Sequence, residues 1–90
     1  MHVSDNTSKL SRFTFFIEKE GSTIIEQFDG IDVEDATLRW FHESETQPGE
    51  PLEDNPPTAV QQVANVWCTA GHDPQGIFFL VHIVATQLNE

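Results

Sequence analysis

Ninety residues with 15 acidic and 4 basic side chains, a net charge of −11, make one small domain whose single core is adequate but not generous. So few Lys and Arg cannot form the cationic clusters that release counterions from phosphate, which excludes direct nucleic-acid binding, and an anionic membrane surface would repel the chain. One cysteine excludes an internal disulfide. No N-terminal apolar stretch resembles a signal peptide, and the longest apolar run, Ile77 to Ala85, is too short for a bilayer and carries His82, so the expected location is cytoplasmic.

Residues 1–11 are polar and aperiodic and read as a loose tail, leaving 12–90 as a single α+β domain. In "RFTFFIEKEGSTIIEQFDG" Phe13, Phe15 and Ile17 alternate with Arg12, Thr14 and Glu18, the period of a strand, with Phe16 the exception. Lys19 to Ser22 supplies a turn with Gly21 free to take a positive φ, and Thr23 to Phe28 reads as the return strand of a hairpin. The period then changes. Asp32 is a natural N-cap with Asp35 three residues on, and Glu34 and Asp35 suit the positive end of the helix dipole. At 100° per residue Val33, Ala36, Thr37, Trp40 and Phe41 share one face of a helix of about three turns, with Asp35, Arg39 and His42 opposite.

Residues 44–58, "SETQPGEPLEDNPPT", hold four prolines among acids, a density that neither a helix nor a central strand accepts; a long loop is expected. Beyond it Val60 to Thr69 and Ile77 to Gln87 read as a second hairpin, which completes the order β-β-α-loop-β-β and a four-stranded, mostly antiparallel sheet with the helix on one face. The last strand is apolar on both sides: Ile77, Phe79, Val81, Ile83 and Ala85 on one, Phe78, Leu80, His82, Val84 and Thr86 on the other. Such a strand is expected to be central and covered twice. One helix covers one face only. Phe16, Phe78, Leu80, His82 and Val84 are therefore expected to meet a second chain, by default a homodimer mate, with a different protein or the proline-rich loop as alternatives. His82 in such an interface would respond to pH.

"WCTAGHDP", residues 67–74, holds the only cysteine and is the one segment that suggests chemistry. Zinc sites usually take four ligands at close spacing, and only one soft ligand is present. In a hairpin closed by residues 70–76, Cys68 lies opposite Phe78 and His82 falls about 13 Å away at the rise of a strand, out of reach for a thiol–imidazole dyad. Cys68 then reads as a small buried side chain and Asp73-Pro74 as turn chemistry, with no metal, cofactor or nucleophile expected. A small enzyme or metal binder using Cys68, His72 and Asp73 is the least favoured reading. The acids from Asp29 to Asp35 lack the spacing of a calcium loop and read as a solvated helix start.

The segment "FTFFIEKEGSTIIEQFDGIDVEDATLRWF", residues 13–41, resembles the opening hairpin and helix of HicB-type antitoxins, where the helix begins "-EDA-" or "-EEA-"; it lacks their proline-containing lead-in and a C-terminal DNA-binding unit. In overall character the chain is similar to small acidic bacterial immunity proteins, including those of contact-dependent growth inhibition systems. That resemblance implies a non-enzymatic protein that neutralises a basic partner, such as a toxin nuclease, through Glu26, Asp29, Asp32, Glu34, Asp35, Glu43 and Glu45, with Trp40 or Trp67 as aromatic anchors. The alternative is a stand-alone homodimeric structural or regulatory module.

Overall fold

The computed structural model describes residues 10–44 and 56–87. Two strands, β1 (Ser11–Lys19) and β2 (Ser22–Gly30), lead into the helix α1 (Val33–Glu43), and three more follow: β3 (Thr58–Ala59), β4 (Val66–His72) and β5 (Phe78–Gln87). They form one five-stranded sheet in the order β2-β1-β5-β4-β3, with every neighbouring pair antiparallel. β5 sits in the middle, as a strand apolar on both sides should.

The fold is α+β as expected, with one strand more than the four read from sequence. Of the expected strand Val60 to Thr69, residues 66–69 belong to β4, whereas residues 60–65 form a tight reversal. Val60 N–H donates to Val66 and Val63 N–H to Val60, while Gln62 and Asn65 take positive φ values of 66° and 64°. Asn tolerates that left-handed conformation through local hydrogen bonding, so Asn65 ends β3's return instead of continuing a strand. The tail and proline-rich loop expectations fall mostly on residues 1–9 and 45–55, outside the described residues; within them β1 starts at Ser11 and β3 includes Thr58.

The first hairpin closes on Glu20 and Gly21 with φ values of 53° and 79°, the two left-handed residues of a tight turn whose twist matches the strands it joins. Asp32 caps α1 by accepting from Asp35 N–H at 2.8 Å, and the Asp35 carboxylate reaches back to Ile31 N–H at 3.0 Å. Val33, Ala36, Thr37 and Trp40 turn inward onto Phe13, Phe15, Ile17, Phe79, Val81 and Ile83. Trp40 is completely buried. It stacks on Phe15 at 5.4 Å between centroids and meets the edge of Phe79 at 5.8 Å. Its indole N–H donates to Glu26 Oε1 at 3.0 Å, an acceptor that also takes the Ser44 hydroxyl at 2.6 Å. A large apolar side chain is thereby buried with its one polar group satisfied.

The helix can lie this close to the end of β2 because residue 30 is glycine. A Cβ there would stand 2.6 Å from the Ala36 backbone nitrogen, and backbone cannot rotate aside as a side chain would. Gly30→Ala is predicted to destabilise the fold by about 1–3 kcal/mol, the usual cost of overpacking; a lower denaturation midpoint with unchanged slope in urea unfolding would show it, and an unchanged midpoint would refute it.

Candidate protein interface

Among the described residues each of the three cations already faces a carboxylate. Arg12 Nε lies 3.0 Å from Asp29, Lys19 Nζ 2.5 Å from Asp73, and Arg39 Nε 3.6 Å from Asp35. Glu18, Glu20, Glu34 and Glu43 are exposed and make no such pair within the described residues. The acid-rich side of the molecule is the outer surface of α1 with its leading turn and the adjoining strand β2. Its residues are not all available: Glu26 is spent on Trp40 and Ser44, Asp32 and Asp35 on the helix cap, and Asp29 on Arg12. Trp40, expected to anchor a partner, is a core residue. The exposed apolar side chains on this side are Ile31 and Leu38, the latter on the helix face turned away from the sheet. Glu45 lies outside the described residues.

The second sheet face faces away from α1. The register aligns Ile25, Phe16, His82, Cys68 and Thr58 in one row across all five strands. Leu80 with Ala70 and Val84 with Val66 flank that row. Ile25 and Phe78 are 60% and 54% exposed, His82 is exposed, and Phe16, Leu80 and Val84 are half-buried. The five residues predicted for a face contact therefore do lie together on one face. At one end Thr14 is buried under hydrogen bonds from Gln27 at 3.0 Å and with Thr86 at 2.8 Å, a small polar border.

The register also corrects the reading of "WCTAGHDP". The turn is Asp73 to Gly76, with Gly76 at φ 83° and its N–H donating to the Asp73 carbonyl at 2.8 Å. Strand β4 runs through Gly71 and His72, so Cys68 pairs with His82 directly, and the separation derived from a loop at 70–76 does not apply. Gly71 lies within β4 although glycine is depleted in strands; it makes room for the Phe79 ring, which a Cβ would approach to 2.8 Å. Cys68 is half-buried and free, and no group of three or more His, Cys, Asp or Glu side chains is placed to hold a metal among the described residues. His72 packs edge-on against Phe78 at 5.7 Å.

Asp73 is buried and organises the turn. Its Oδ1 accepts from Gln75 N–H at 2.8 Å and Ile77 N–H at 2.9 Å, while Oδ2 meets Lys19 from the far end of β1. The Lys19 hydrogen bond, followed by that from Ile77, holds its carboxyl below the usual carboxylate range.

No protein-family model matches the chain, and comparison with curated proteins and with solved structures finds no significant match. No helix of the described residues is long and apolar enough to cross a membrane.

A carboxyl with a depressed folded pKa stabilises the fold fully above its unfolded pKa of about 4, and the contribution disappears as pH falls through the folded value. Asp73→Asn is accordingly predicted to lower thermal stability at neutral pH, with the gap to the wild type closing below about pH 4. Melting curves followed from pH 7 to pH 2 decide it; a gap that stays constant would rule the assignment out.

Proposed function

We propose that this chain is a non-enzymatic, immunity- or antitoxin-like binding protein that engages a basic protein through its acidic side. The observation that carries the reading is the pairing of all three described cations with carboxylates, which leaves Glu34 and Glu43 on the outer helix surface, with Glu18 and Glu20 at the tip of the first hairpin, to set the outward field. Such a field steers a cationic partner and repels an anionic one. Ile31 and Leu38, exposed beside Asp32, Glu34 and Asp35, supply the apolar contact that charge alone does not. The resemblance of residues 13–41 to HicB-type antitoxins and the acidic character shared with immunity proteins point the same way. A cytoplasmic site of action is part of this proposal.

A second reading, a homodimeric module without a toxin partner, is favoured by the second sheet face. Phe16, Phe78, Leu80, His82 and Val84 make a patch, bordered by Glu18 opposite Leu80, of the kind that soluble monomers seldom expose at large extent. Light scattering separates the readings: a dimer that Leu80→Glu converts to monomer supports the module.

The first reading is tested by expressing the product of the adjacent gene with and without this chain. Relief of toxicity by a salt-sensitive complex supports it, and equal toxicity in both cases counts against it. In that complex Glu34→Lys with Glu43→Lys is expected to slow association by about tenfold or more at low salt, within the range of electrostatic steering, while leaving the melting temperature nearly unchanged.

A further inference from the structure

The two edges of the sheet differ. β3 is two residues long and follows Pro56 and Pro57, a form that resists strand addition. β2 is nine residues long and lacks proline, lysine and any bulge in its pairing with β1. Lys19 and Ser22 close the two-residue turn as a hydrogen-bonded pair, so alternation turns the backbone of Ile24, Glu26 and Phe28 toward β1. The N–H and C=O groups of Thr23, Ile25, Gln27 and Asp29 are then directed outward.

A shallow depression lies at the Gly30 end of this same edge. It is lined by Gln27, Phe28 and Asp29 of β2 together with Arg12, Arg39 and Glu43. Successive strand residues point to opposite faces, so a depression touching three in a row must lie at the strand's border rather than on either face. We propose that the β2 edge receives an extended segment of the basic partner as a sixth strand; the identity of the occupant rests on the reading of the chain as an acidic binding protein.

Charge complementarity selects that occupant. Around the edge stand Glu26, Asp29, Asp35 and Glu43 against Arg12 and Arg39; Asp29 and Asp35 are ion-paired with those two arginines, so Glu26 and Glu43 supply the negative excess, with Glu18 and Glu20 toward the hairpin tip. A second copy would bring the same carboxylates together, whereas a cationic strand meets them with opposite charge. The period of a strand also specifies the segment's pattern. Side chains beside Ile24 and Phe28 meet apolar neighbours on the core side, and those beside Thr23, Gln27 and Asp29 meet polar and acidic ones on the other, so apolar and basic residues alternate.

The probe is a nine-residue peptide alternating Lys and Val, added to the full chain while amide hydrogen exchange is read residue by residue. The amides of Thr23, Ile25, Gln27 and Asp29 are expected to slow by about tenfold, the protection a hydrogen bond of average net strength confers, with less slowing by a Thr–Val peptide of the same length. Methylating alternate peptide nitrogens preserves charge and should abolish the protection. Peptide binding that leaves these four amides unchanged overturns the edge assignment while the acidic-surface reading stands. Absence of any binding removes both. Slowing that appears on raising the protein concentration without peptide overturns the proposal in favour of a second copy.

Discussion

The position of Trp40 decides most of what this molecule presents to its surroundings. Its ring is held between Phe15 and Phe79, and its single N–H is committed to Glu26. That combination fixes the rotation of α1 about its own axis, because an amphipathic helix with one large anchored side chain has little freedom to roll. With Trp40 inward, Leu38 and Glu34 must face out, and the carboxylate of Glu26 is drawn from the surface to the helix–sheet seam. The acidic surface is thus shaped by an apolar contact. Gly30 serves the same arrangement from the other end of the helix by letting its first turn approach the strand.

Much of this was legible in the residues. The helix start follows from Asp32 and Asp35: Asp32 accepts from Asp35 N–H as their spacing implies, and the Asp35 carboxylate reaches one residue further back, to Ile31 N–H. The central place of β5 follows from apolar side chains on both of its faces. What could not be read was the offset of the last hairpin. "TAGHDPQG" contains two glycines, and composition does not say which one turns the chain. Gly76 does so at positive φ, while Gly71 lies within β4 for a packing reason that exists only once Phe79 is placed across from it. Moving the turn by a few residues slides every cross-strand pair, and with the turn at Asp73 to Gly76 Cys68 and His82 stand opposite each other.

The acidic candidates also divide for a reason invisible in a one-dimensional list. A carboxylate in a sequence is a charge; in the fold it is a charge, a cap, or an acceptor already occupied. Asp32 and Asp35 organise the helix terminus, Glu26 serves the indole, and Glu34 and Glu43 remain turned to solvent. The two surfaces left open differ in physics as well as in place. The sheet face is apolar at its centre, with Glu18 and the Arg12–Asp29 pair at its margin, whereas the β2 border combines directional backbone groups with an anionic rim.

The pairing of β1 with β5 carries a kinetic consequence. These strands stand side by side, Phe15 opposite Ile83, although almost the whole described chain separates them. The first hairpin and α1 can form early from neighbouring residues, but the ring of Trp40 lacks Phe79 until β5 arrives. Bringing the two together closes a long loop before most of the core is rewarded, so folding should behave as one late, concerted step with a rate set by topology. A nascent chain would then hold Phe13, Phe15 and Trp40 unsheltered until its distal strand has emerged, the interval in which aggregation competes with folding.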